Sequence, residues 1–159
     1  MDEMEQHADS FKDHDVAFCT FGTTRKDAGS AEAFVKIDHG YTVKFGSLCK
    51  DHGVKHFHLL TSMGSNPNSW FLYPKTKGQN EEDIKEMDFA RTTIWRPGLL
   101  GRGDKARLVE KLAKYVSSEM PVARLAHAMR LHAEHILEND ESPKVEIFGN
   151  KEINAIAKE

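Results

Sequence analysis

The chain has 159 residues, of which 39% are apolar and 30% charged, with a formal net charge of −3. That length suits one domain, residues 1–159, with a core of ordinary size, and a charge this near neutral gives no electrostatic reason to expect a nucleic-acid partner. No run of about 18 apolar residues is present to span a bilayer, and the acidic start Met1-Asp2-Glu3-Met4-Glu5-Gln6 is unlike a secretory or mitochondrial leader. Cys19 and Cys49 both lie in apolar segments without a CxxC spacing. Two buried free thiols in a reducing compartment are therefore expected, which places the protein in the cytoplasm or the nucleus.

In chain order, residues 2–11 are polar and suit a short helix. Residues 15–22, Asp-Val-Ala-Phe-Cys-Thr-Phe-Gly, form a short apolar run stopped by glycine, as a strand buried on both faces would. Residues 31–49 have mainly helical spacing through Phe34, Ile37, Tyr41, Phe45 and Leu48, and end before Gly53. A second buried strand is expected over 55–61 and a polar helix over 74–87, with Ile84 and Met87 toward the core. Residues 91–95, rich in β-branched side chains, read as a third strand that stops at Pro97-Gly98. Amphipathic helices follow over 106–115 and 122–137, then a short strand over 145–148 and a terminal helical turn over 153–158. Alternating strands and helices predict an α/β fold, a doubly wound parallel sheet of about four strands. A complete Rossmann sheet usually has six.

One ordered constellation carries chemistry. The run His56-Phe57-His58-Leu59-Leu60 ends in Thr61-Ser62; Tyr73 and Lys77 follow, four residues apart; a second run closes on Arg96-Pro97-Gly98. Carbonyl reduction needs a hydride at carbon and a proton at oxygen. A tyrosine hydroxyl can donate that proton, although a free phenol keeps it up to about pH 10. A lysine one helical turn on shares the same face, favours the phenolate by its charge and can hold ribose hydroxyls. A hydroxyl at the C-terminal end of the preceding strand, where open α/β sheets bind ligands, can polarise the carbonyl. Tyr73, Lys77 and Ser62 fill these catalytic roles, with Thr61 the alternative hydroxyl. Tyr-x-x-x-Lys alone is a weak signal; the flanking strand–Thr–Ser and strand–Arg–Pro–Gly make it specific.

Four segments together resemble the Tat-interactive protein oxidoreductases, an atypical branch of the short-chain dehydrogenase/reductases. They are Phe18-Cys19-Thr20-Phe21-Gly22-Thr23-Thr24-Arg25, Lys55 through Ser62, Phe71-Leu72-Tyr73 with Lys77-Gly78, and Trp95-Arg96-Pro97-Gly98. The resemblance runs in order from about residue 14 to 158 and is weakest between 100 and 121. It implies a Rossmann-like fold, NADPH as cofactor and Tyr73 as proton donor and acceptor. By position it makes Phe21 and Gly22 part of a loop that packs along the cofactor. It further makes Lys77 the ribose-binding lysine, Leu100 a neighbour of the nicotinamide and Arg102 a further cofactor contact. It implies a small carbonyl substrate and, alternatively, a catalytically silent interaction protein acting on nuclear import or transcription through protein partners.

Family chains open with strand, Gly-x-x-Gly-x-x-Gly and helix, the backbone cradle for a pyrophosphate. No such motif occurs in this sequence, and Met1 falls just before the strand that matches the family's fourth. The chain is accordingly expected to lack the first βαβ unit and to leave the strand over 16–21 with an open edge. A truncated gene model or isoform, a sheet completed by another chain, and a free half-domain without cofactor are the three accounts of this.

Other features read as structural. His56 with His58 and His132 with His135 could each offer two metal positions, but a zinc site needs three or four ligands, so no metal is expected. Cys49 reads as packed rather than reactive. Trp70 and Phe71, just before Tyr73, suit either a substrate pocket or a core anchor for their loop.

Overall fold

The computed structural model describes residues 3–101, 119–139 and 142–158. Its strands are β1 (Val16–Cys19), β2 (His56–Leu60), β3 (Arg91–Trp95), β4 (Leu100–Gly101), β5 (Met120–Pro121) and β6 (Val145–Phe148). Its α-helices are α1 (Arg25–Ala28), α2 (Ala31–Val35), α3 (Tyr41–Asp51), α4 (Leu72–Glu86), α5 (Val122–Glu138) and α6 (Asn150–Ile156). A 3-10 helix, Met4–Phe11, precedes them. Four strands form one parallel sheet in the order β1-β2-β3-β6, while β4 and β5 make a separate two-stranded ladder. The fold is α/β and Rossmann-like, as the alternation of elements predicts. The helix expected over 106–115 lies outside the described residues.

The inner strands are buried on both faces because helices cover both. Thr92, Thr93, Ile94 and Trp95 of β3 are all buried, as are His56, Phe57, His58 and Leu59 of β2. One face carries Ala17, Cys19, Phe57, Leu59 and Ile94 against Cys49, Ile84 and Phe89. The other carries Trp95 against Leu125, Ala128 and Met129 of α5 and Ile153 of α6. α3 and α4 approach closely because residue 46 is glycine: a Cβ there would lie 2.5 Å from Ile84 Cδ1 and 2.8 Å from Met87 Sδ.

Two expectations need correction. The first strand is not buried on both faces: Ala17 and Cys19 point into the core, but Phe18 is 42% exposed. Phe18 lies on the opposite face, where its ring stacks on His58 with centroids 4.5 Å apart, and β1 ends the sheet order. The helical segment over 31–49 is also not one α-helix. Ser30 caps α2 by accepting from the Ala33 amide at 3.0 Å, and a π turn, Lys36–Gly40, then separates α2 from α3. Such turns insert one residue into a helix and recur at functional sites.

Candidate active site

The loops that leave the C-terminal ends of β1, β2 and β3 converge on a cavity of about 620 Å³. Phe21, Gly22 and Thr23 line it from the first loop, Thr61, Ser62 and Met63 from the second, and Pro97 through Leu100 from the third. Tyr73 and Lys77 of α4 complete it, together with Asp38 from the π turn. A more apolar hollow of about 780 Å³ adjoins it through Thr20, Leu60 and Leu100 and runs along Val122, Leu125 and Met129 of α5.

The loop ends are held by continuing the sheet's ladder past the strands. The Thr61 amide donates to the Trp95 carbonyl, and the Met63 amide to the Pro97 carbonyl, each at 2.8 Å. α4 begins at Leu72 rather than Pro74, so Pro74 sits in the first turn, where its missing N–H costs nothing. A loop crosses directly over the helix one residue beyond Lys77. A Cβ on Gly78 would lie 2.2 Å from Pro67 N and 2.3 Å from the Asn66 carbonyl carbon, so only glycine admits that crossing. The Asn66 side chain shapes the loop by accepting from the Asn68 amide at 2.9 Å.

A second anchor joins α4 to both strands. Glu81 is 1% exposed and accepts from Thr61 Oγ1 at 2.7 Å and from Arg96 Nε at 2.9 Å. Arg96 Nη2 binds its other oxygen, making the pair bidentate, and these hydrogen bonds push the arginine pKa up. Thr61 is thereby committed to Glu81, whereas Ser62 Oγ is enclosed and makes no hydrogen bond. Of the two candidate hydroxyls, Ser62 is the one without a hydrogen-bond partner.

Lys77 is buried, and its Nζ lies 2.7 Å from Asp38 Oδ1 and 5.9 Å from the centre of the Tyr73 ring. Tyr73 is half exposed at the cavity mouth. Phe21, Gly22, Ser62, Tyr73, Lys77 and Leu100 thus share one cavity, while Arg102 lies outside the described residues. Sequence reasoning missed Asp38 and Glu81. Lys77 and Glu81, four apart on one helix, were the available signal for the latter. Trp70 and Phe71 take neither expected place: they are 100% and 77% exposed and do not line the cavity.

The histidines form a separate cluster on the α5 face of the sheet. His56 Nε2 lies 2.8 Å from Thr93 Oγ1, which lies 3.1 Å from His132 Nε2. The Trp95 indole N–H donates to His58 Nδ1 at 3.0 Å. Burial pulls the pKa of His56 to about 4, of His58 to about 2 and of His132 to about 4. His132 therefore stays neutral near pH 7, so its 3.2 Å approach to Glu146 is a polar contact rather than an ion pair. Among the described residues no group of three or more His, Cys, Asp or Glu side chains is placed to hold a metal. Cys19 and Cys49 are free and buried, and burial pushes both thiols up to about 12.

The family described as NAD(P)H-binding matches residues 1–134. Protein HTATIP2 of Rattus norvegicus is 40% identical over 121 residues, which cover 76% of this chain and 50% of that protein. Protein FMP52, mitochondrial, of Debaryomyces hansenii is 34% identical over 158 residues, covering 89% of this chain and 69% of that one. Among solved structures, MoeE5 in complex with UDP-glucuronic acid and NAD superposes with a TM-score of 0.69 at 12% identity, over 89% of this chain and 58% of that chain. At that identity the likeness shows the fold alone. The chain spans about half the length of HTATIP2. A Rossmann-like sheet, a shared cavity at its strand ends and these matches agree: the chain belongs to the NAD(P)H-binding, atypical short-chain dehydrogenase/reductase family of HTATIP2 and FMP52.

Proposed function

We propose that residues 1–159 are the catalytic portion of an NADPH-linked carbonyl reductase, with Tyr73, Lys77 and Ser62 as its catalytic residues. The observation that carries this reading is that all three line one cavity with Phe21, Gly22 and Leu100 at the strand ends. The residues present fit the nicotinamide-ribose half of the cofactor. Lys77 offers a buried ammonium at the wall, and Gly22 leaves the approach to it open, since a Cβ there would stand 3.3 Å from its Nζ. A glycine-rich cradle for the pyrophosphate is not in this sequence.

When bound, the reduced nicotinamide supplies the hydride. The Tyr73 hydroxyl gives its proton to the carbonyl oxygen, with Lys77 Nζ standing 5.9 Å from the centre of its ring. Lys77 also donates to ribose hydroxyls, and Ser62 Oγ, which has no partner of its own, polarises the substrate oxygen. Phe21, Gly22 and Leu100, which line the same cavity, would hold the nicotinamide side of the cofactor.

A second reading, a partner-binding protein without catalysis, draws on Trp70 and Phe71, two large exposed side chains next to each other in the loop before α4. Titrating the chain with NADPH by fluorescence or calorimetry decides between them. Saturable binding weakened by Lys77→Ala, with turnover lost in Tyr73→Phe, supports the enzyme; a folded chain that binds no NADPH supports the partner-binding reading. FMP52 is named mitochondrial, so imaging against mitochondrial and nuclear markers decides between that compartment and the cytoplasm or nucleus expected from the sequence.

A further inference from the structure

We propose that the buried histidines on the α5 face form a one-way hydrogen-bond chain that fixes their tautomers and leaves His56 Nδ1–H and His58 Nε2–H as paired donors to one bound water molecule. This inference stands apart from the cofactor reading above. It starts from neutrality: burial keeps His56, His58 and His132 uncharged near pH 7, so each ring carries one N–H and one lone pair. Their partners then decide which nitrogen holds the proton. The Trp95 indole N–H can only donate, and His58 Nδ1 accepts from it at 3.0 Å. Nδ1 therefore offers the lone pair, and the His58 proton sits on Nε2.

The other two rings share Thr93. His132 Nε2 lies 3.1 Å from Thr93 Oγ1 and 3.2 Å from Glu146 Oε2. One lone pair does not serve two oxygens, whereas one N–H between them can donate to both, so His132 holds its proton on Nε2. Thr93 has a single hydroxyl proton. With His132 donating to its oxygen, that proton goes to His56 Nε2, 2.8 Å away, and His56 keeps its own on Nδ1. Both N–H groups assigned in this way, on His56 Nδ1 and His58 Nε2, are buried and have no hydrogen-bond partner among the described residues. The two residues are 2% and 0% exposed, and their ring centres stand 4.0 Å apart. A buried N–H without an acceptor is costly, and two so close suit one oxygen at about 2.9 Å from each. Buried water is bound by two to four such contacts. Arg91 and Glu146 bear on this cluster with opposite charge, so an uncharged oxygen fits it better than an anion.

Long-range proton–nitrogen correlation spectra of the 15N-labelled chain near neutral pH read the tautomer of each ring. The expected result is a protonated Nε2 in His58 and His132 and a protonated Nδ1 in His56. The opposite tautomer in any of the three overturns the proposal. Two variants sharpen the test. Trp95→Phe should shift part of His58 to the Nδ1–H form and leave His56 as it is; Thr93→Val should shift part of His56 to the Nε2–H form and leave His58 as it is. A folded variant in which the named ring does not change overturns the chain, and if neither variant folds the parent spectrum decides alone. The occupant is read from the same N–H protons. Cross-relaxation of both with a slowly exchanging water supports the proposal. Scalar coupling of either N–H to a carbonyl of the protein overturns it, as do signals that move when chloride replaces sulfate at constant ionic strength, which would mark an anion.

Discussion

Two buried polar clusters lie against the same sheet and solve the cost of burial in opposite ways. At the strand ends, Asp38 with Lys77 and Glu81 with Arg96 keep their charges and pair them. On the α5 face, His56, His58 and His132 give up charge, because burial pulls each far below the ordinary histidine value. Charge is retained beside the cavity at the strand ends and dismissed where side chains only pack. The two clusters should therefore fail under different challenges.

Acid should strike the histidine cluster hardest. The folded pKa values lie below the unfolded value of about 6.5, so the unfolded chain binds more protons and stability falls as pH drops below about 6.5. Near pH 5 the loss is about 2 kcal/mol per histidine. Glu146, whose carboxyl pKa burial pushes up, takes up a proton earlier in the fold and opposes this trend at the acid end. Urea melts between pH 7.5 and about 5 check it, and His132→Leu should flatten the slope by about one proton. A flat profile would break the contrast.

Glu81→Ala tests the charged side. It strands Arg96 and leaves Thr61 Oγ1 only its longer bond to the Trp95 carbonyl at 3.3 Å, and should cost about 3 kcal/mol in a chemical melt, the lower end for a buried pair because Arg96 is a third exposed. Trp95→Phe has the smallest effect of the three. It removes the donor to His58 Nδ1 at about 1–2 kcal/mol, and the difference should be visible at neutral pH, where the imidazole is uncharged.

How far the molecule could be read from its sequence follows from how local each signal is. The bounds of β3 and β6, at 91–95 and 145–148, are those the β-branched and apolar runs predict. Tyr73 and Lys77 were legible because their spacing is one turn of one helix. Asp38 was not: a single acid between Ile37 and His39 reads as a solvated helix residue, and nothing in the composition marks the π turn that buries it. The Glu81–Arg96 pair joins residues on different elements, so neither identity announces the other. Trp70 and Phe71 misled by their chemistry, since large aromatic side chains suggest burial and the loop instead holds them in solvent.

The π turn has a consequence for how this site could change over time. An α-helix turns by about 100° per residue, so one surplus residue resets the phase of everything beyond it. Before and within the turn, Phe34 and Asp38 face inward; after it, Thr42, Gly46, Leu48 and Cys49 do. The turn takes up the surplus residue, so the inward face continues past it while Asp38 is carried to the cavity. Deleting any one residue of Lys36–Gly40 would set Phe34 and Thr42 seven residues apart, within about 20° of two full α-helical turns, so the core face would stay in register and the turn that presents Asp38 would be lost. Along this stretch the length of the chain, more than the identity of its side chains, is what selection must hold constant.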